Sequence, residues 1–130
     1  MHDVGLLIAR IIMGGCFIIW GTMKLRGGEA KLVPVLAAMG MPDAKALAYL
    51  VGLCEFIGGV GIVLGYPLVT FAVLLGIWCL ITGVTAHKGD TNQLLAHIAM
   101  CGGFFALAAA GPGAISLFGG APAGIFALLP

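Results

Sequence analysis

The chain has 130 residues, of which 62% are apolar and only 8% charged, six basic and five acidic, for a formal net charge of +1. Soluble domains of this size carry about 25% charged residues, so a water-facing surface is excluded, and a mean hydropathy of +1.18 excludes a disordered chain as well. Near-neutrality leaves no electrostatic footprint for nucleic acid, and a small integral membrane protein remains.

A hydrocarbon core about 30 Å thick needs roughly 20 apolar residues as helix. Residues 4–23 form the first such window, interrupted only by Arg10. Met1-His2-Asp3 is no basic leader and the apolar run is long, so this window is expected to remain as a span. The link from Lys24 to Lys45 carries most of the charge, and within it residues 29–39, with Pro34, read as a short interfacial helix. Met41-Pro42-Asp43 marks a helix start, with Pro near the first turn and Asp at the positive end of the dipole. The second span, residues 46–64, holds one charge, Glu55. Gly65-Tyr66-Pro67 is a tight turn into the third, residues 68–86, which holds none. Residues 87–92 lead to the fourth, residues 94–111, whose single ionisable group is His97. The apolar tail, residues 112–130, is too broken by Gly, Ala and Pro to span and is expected along the membrane or on a partner.

Windows that are apolar all round satisfy their backbone in lipid as helices, whereas barrel strands alternate. The expected fold is all-α: one membrane domain over residues 1–130, a four-helix bundle with a short interfacial helix in the first link. Gly14-Gly15, Gly58-Gly59, Gly102-Gly103 and the Gly61/Gly65 G-x-x-x-G predict close helix packing. Lys24, Arg26, Lys31, Lys45 and Lys88 all lie in the first and third links. The positive-inside rule then places those links in the cytoplasm and both termini outside.

Arg10, Gly14 and Trp20-Gly21-Thr22-Met23-Lys24-Leu25, then Gly40-Met41-Pro42, Glu55-Phe56-Ile57-Gly58-Gly59 and Gly111-Pro112-Gly113-Ala114-Ile115-Ser116-Leu117, form an ordered set that resembles the DoxX family of small four-helix membrane proteins. Trp20 stands where a histidine is common in that family, and Phe118 where an aspartate is common. The resemblance implies a subunit of the bacterial or archaeal cytoplasmic (inner) membrane tied to redox chemistry, similar to the small membrane subunit of archaeal thiosulfate:quinone oxidoreductases.

Ionisable groups inside a membrane face a cavity or a partner rather than lipid. Measured from the helix ends, Arg10 and Glu55 lie about 9 Å and 13 Å deep, which predicts an ion pair locking the first two spans. Glu55 is also a candidate proton acceptor or quinone partner. Lys24, His87 and His97 gather near the opposite face, with Thr82, Thr85, Asn92 and Gln93 close by in sequence, and are the candidate site for an anionic or quinone headgroup. A haem between the two histidines is disfavoured, because neighbouring axes about 8–10 Å apart leave little room for a porphyrin. Cys16, Cys54, Cys79 and Cys101 fall one per span near the midplane. They form a thiol or metal site only if all turn inward, and otherwise pack as small apolar groups. The combined reading is a membrane subunit of a quinone-linked oxidoreductase system, not catalytic alone, with a soluble or membrane oxidoreductase partner. The alternatives are a non-catalytic anchor or assembly subunit, or a small-solute carrier acting as a homo-oligomer.

Overall fold

The computed structural model describes residues 1–87 and 89–117. Lys88 and residues 118–130 lie outside the described residues, and so does the expectation for that part of the tail. Residues 112–117, expected along the membrane or on a partner, instead fold back on the first and second spans. The described elements are helices: α1 (His2–Met23), α2 (Glu29–Ala38), α3 (Ala44–Leu64), α4 (Leu68–Ala86) and α5 (Thr91–Ala110). Four helical runs among the described residues are long and apolar enough to cross a membrane, and α1 and α2 belong to one of them. The all-α, four-span expectation holds, with boundaries within a few residues of the apolar windows.

Local sequence explains where these helices start and stop. Asp43 caps α3 by accepting from the Ala46 amide at 3.3 Å, and Asp90 caps α5 by accepting from the Asn92 and Gln93 amides, both at 3.1 Å. Each supplies an acceptor that the first helical turn lacks. Helix α3 closes with the Tyr66 amide on the Gly61 carbonyl and the Gly65 amide on the Ile62 carbonyl, a Schellman arrangement that requires the left-handed φ of 75° at Gly65. Between α1 and α2 the chain makes a wide π turn over Lys24–Gly28, where Gly27 adopts φ 108°, a region that glycine enters without a Cβ clash. The turn bends the run, so that α2 packs on α3 and covers one end of the bundle.

The bundle is two intimate helix pairs, α1 with α3 and α4 with α5, joined by thinner contacts. Arg10, Gly14, Phe17 and Gly21 form the buried stripe of α1, at the three-and-four spacing of one helix face. A Cβ on Gly14 would sit 2.6 Å from the Gly59 carbonyl oxygen, and one on Gly21 would sit 2.6 Å from that of Gly52. Backbones this close are the small-residue packing of membrane helices. Gly15 and Gly102 meet nothing within 4 Å, so one glycine of each of those two pairs makes no helix contact, whereas Gly58 and Gly59 pack on α4 and α1 respectively. Phe17 and Phe104, edge to face at 5.2 Å, join the two halves in a core with Ile62, Leu75 and Leu107. Ile12, Leu53, Ile77 and Ile98 point outward, as lipid-facing positions do.

The expected Arg10–Glu55 ion pair is absent. Arg10 is 1% exposed and donates to four backbone carbonyls: Ile62 at 3.1 Å, Val63 at 2.6 Å, Pro112 at 2.7 Å and Ile115 at 2.6 Å. Two of these belong to the last turn of α3, where carbonyls lack the usual i+4 amide and the dipole favours a cation; the Ile62 oxygen also accepts from the Gly65 amide. The glycine contacts set a register in which Arg10 stands level with Val63, about 12 Å along α3 from Glu55 at 1.5 Å per residue. Depth measured from the helix ends fails because those ends are not flush: α1 projects past the end of α3. The segment after α5 covers the projecting turns, with the Ala114 amide on Asp3 Oδ1 at 2.8 Å and the Leu117 amide on the Leu64 carbonyl at 2.9 Å.

Candidate functional site

At the opposite end, α1, α2, α4 and α5 enclose a cleft of about 530 Å³, within the usual range for small-molecule sites. It collects Lys24, His87 and His97, the three residues singled out from sequence, together with Glu55. Phe17, Trp20 and Trp78 supply aromatic walls, and Lys31, Leu32 and Val35 of α2 close the mouth. Trp20, in the place of the family's common histidine, packs edge-on to Phe17 at 5.2 Å.

The floor of the cleft is a three-helix polar knot. Lys24 Nζ donates to Glu55 Oε2 at 2.6 Å, and Trp78 Nε1 donates to Glu55 Oε1 at 2.9 Å. Gly52, one turn before Glu55, makes room for the Lys24 stem, because a Cβ there would lie 2.9 Å from Lys24 Cβ. Both carboxylate oxygens thus already accept hydrogen bonds, and a buried carboxylate without such partners would carry a large desolvation cost. The sequence reading missed Trp78. Its one signal is general: an indole N–H removed from water needs an acceptor.

Above the knot the two imidazoles stack, with centroids 4.6 Å apart and planes tilted by 35°. Rings in contact leave no space for a porphyrin between them. His97 Nδ1 lies 2.8 Å from the Gln93 carbonyl, which only accepts, so Nδ1 carries a proton. Burial, and then the neighbouring His97, push His87 below the ordinary histidine value against an opposing pull from Asp90. His87 follows the last turn of α4.

Thr82 adds an observation that sequence alone does not give. Thr22 and Thr85 donate to the carbonyls one turn back, Ile18 and Ile81, both at 2.7 Å, as helical threonines commonly do. Thr82 lines the cleft, yet its hydroxyl is buried with no protein partner. Such a group calls for an explanation, and a ligand oxygen in the cleft is one.

The cysteines do not form the quartet weighed from sequence. Cys16 and Cys54 are exposed on the outside of the bundle, Cys79 is buried and Cys101 half-buried. Among the described residues no group of three or more His, Cys, Asp or Glu side chains is placed to hold a metal ion. Equal depth does not bring the thiols together, because their helix faces point different ways.

Comparison with known proteins agrees with this architecture. The DoxX family model matches residues 5–88. The inner membrane protein YqjF of Escherichia coli is 34% identical over 122 residues, covering 90% of this chain and 92% of that protein. The inner membrane protein YphA of Escherichia coli is 35% identical over 126 residues, covering 89% of each. No solved structure matches the chain.

Proposed function

The chain belongs to the DoxX family of membrane proteins, and from that footing we propose that it is an inner-membrane subunit of a quinone-linked oxidoreductase system whose cleft seats the quinone ring. The observation that carries the reading is the cleft itself. Aromatic side chains line a space that is also lined by an unpartnered hydroxyl, Thr82, and a stacked histidine pair. A quinone ring offers a flat face to Phe17, Trp20 and Trp78, and carbonyl oxygens to donors such as the Thr82 hydroxyl and an imidazole N–H. Reduction of a quinone takes two electrons and two protons. In this reading a partner oxidoreductase delivers the electrons, and His87 and His97 relay the protons between cleft and water. Glu55 is bound on both oxygens and serves as scaffold.

The cleft end carries Arg26, Lys31 and Lys45, all exposed, whereas Arg10 at the other end is enclosed by carbonyls. The positive-inside rule therefore favours a cytoplasmic cleft and extracytoplasmic termini.

The test uses His97→Ala and Thr82→Val, which leave the Lys24–Glu55 pair untouched. Purified protein in lipid nanodiscs is expected to bind a tailless quinone, and the double variant to bind it at least about tenfold more weakly, or 1.4 kcal/mol, with an unchanged melt. Equal affinity in a folded double variant removes the reading. A stoichiometric partner recovered without any quinone binding favours the anchor role instead.

A further inference from the structure

Glu55 and Trp78 line two cavities. One is the polar cleft. The other, about 410 Å³, is a groove between α3 and α4, walled by apolar side chains including Leu50, Ile57, Phe71 and Leu74. The groove exists because α3 and α4 meet far less closely than the two intimate pairs. Its outer rim, Leu50, Ile57 and Leu74, is about half exposed, so in a bilayer it opens sideways to lipid.

A lipid-facing groove with a purely apolar floor would accept any hydrocarbon chain. Here the inner end is the Glu55–Trp78 hydrogen bond, the same bond that floors the cleft. A free acyl chain gains nothing from reaching it. A ligand with a polar ring and an apolar chain can place the ring on the cleft side of Trp78 and the chain on the groove side. The walls run over residues 50–57 and 71–78, each about 10 Å at 1.5 Å per residue, which is room for the ring-proximal part of such a chain. We propose that the α3–α4 groove seats the first part of the isoprenoid tail of the ligand whose ring occupies the cleft. The two cavities are then one head-and-tail site entered from the bilayer along the α3–α4 seam. The proposal rests on the ring reading above.

Menadione and phylloquinone separate the two claims, because they share a ring and differ in the phytyl tail. Binding of each, tritium-labelled, is measured in nanodiscs for the wild-type protein, for Leu50→Trp/Leu74→Trp, which fills the groove, and for Ile81→Trp, a control elsewhere on the exposed face of α4. The groove variant is expected to weaken phylloquinone at least about tenfold while menadione stays within about twofold and Ile81→Trp changes neither. Three results overturn the groove: phylloquinone affinity unchanged, both probes weakened alike, or loss of co-purified phospholipid with phylloquinone unchanged, which assigns the groove to a lipid acyl chain. If menadione fails to bind the wild-type protein, the ring reading falls first and the tail site falls with it. Menadione binding with phylloquinone indifferent to the filled groove removes the tail site alone.

Discussion

The polar knot under the cleft makes a quantitative prediction about which charge matters to which. Lys24→Met strands the Glu55 carboxylate, whose side chain is 7% exposed and keeps only the Trp78 indole. Removing one partner of a buried ion pair typically costs about 3–5 kcal/mol, and this variant is expected within that range. Glu55→Gln is milder. Its amide oxygen still accepts from Trp78, and the Lys24 side chain, 23% exposed at the bundle end, can turn toward lipid headgroups. A loss of about 2 kcal/mol is expected, the low side of that range reduced for solvent access. The double variant leaves no stranded charge, so the two changes should couple by about 2 kcal/mol or more.

The same cycle run between Arg10 and Glu55 serves as the contrast. Arg10→Met exposes four carbonyls and destabilises by itself, but it shares no partner with Glu55 and lies about 12 Å from its level. Its effect should add to that of Glu55→Gln within about 0.5 kcal/mol. The assay is equilibrium unfolding in mixed micelles, with all five variants measured under one condition. Additive behaviour of Lys24 and Glu55, or strong coupling of Arg10 with Glu55, would refute the register argued from the glycine contacts.

Adjacent glycines give a second test. Gly14→Ala drives a methyl to 2.6 Å from a backbone oxygen and is expected to cost about 1–3 kcal/mol, whereas Gly15→Ala meets open space and should be neutral or stabilising by about 0.5–1 kcal/mol; thermal melts of the two decide it. Stability should also fall in mild acid. His87 is held below its ordinary value in the folded protein, so the unfolded chain takes up the proton first as pH drops through about 6.5, and folding loses free energy from there down to the folded value. Unfolding titrations between pH 7.5 and about 5 should show this slope in the wild type and a smaller one in His87→Gln, and parallel slopes would remove His87 as the cause. For topology, a reporter active only outside the cytoplasm should be active when fused to either terminus, and a silent reporter at both ends inverts the assignment.

Much of the fold was legible because a bilayer imposes one length and one polarity on every span. The four apolar windows, the helix start at Asp43 and the Gly65 turn all act within a few residues of themselves, and local sequence carries them. Lys24, His87 and His97 were legible as a group for a related reason: ionisable side chains near one membrane face have few places to go. The partner of Arg10 was not legible. It depends on an inter-helix register set by Gly14 on Gly59 and Gly21 on Gly52, and glycines leave no side-chain pattern from which to count. Its acceptors are main-chain oxygens at the end of α3 and in the segment after α5, which no residue type announces. The thiols misled in the opposite sense, since depth can be counted from sequence but the packed face of an all-apolar helix cannot.

The two ends of the bundle treat charge in opposite ways, and this contrast supports placing the proposed site at the cleft end. At one end Arg10 is fully engaged. Four carbonyls surround it, the segment after α5 closes over it, and a Cβ on Gly65 would lie 2.7 Å from its guanidinium carbon. The guanidinium is spent on main-chain carbonyls, so the cation acts as a structural clamp on a helix terminus that lipid could not satisfy. At the other end the polar groups exceed what the fold consumes. Lys24, Glu55 and Trp78 satisfy one another, but the His87 and His97 rings and the Thr82 hydroxyl line the open volume of the cleft. Inside a membrane such a surplus is costly unless something uses it. The bend at Lys24–Gly28 points the same way. A straight α1 would carry α2 past the end of the bundle, and instead Gly27 turns it across the mouth of that cleft.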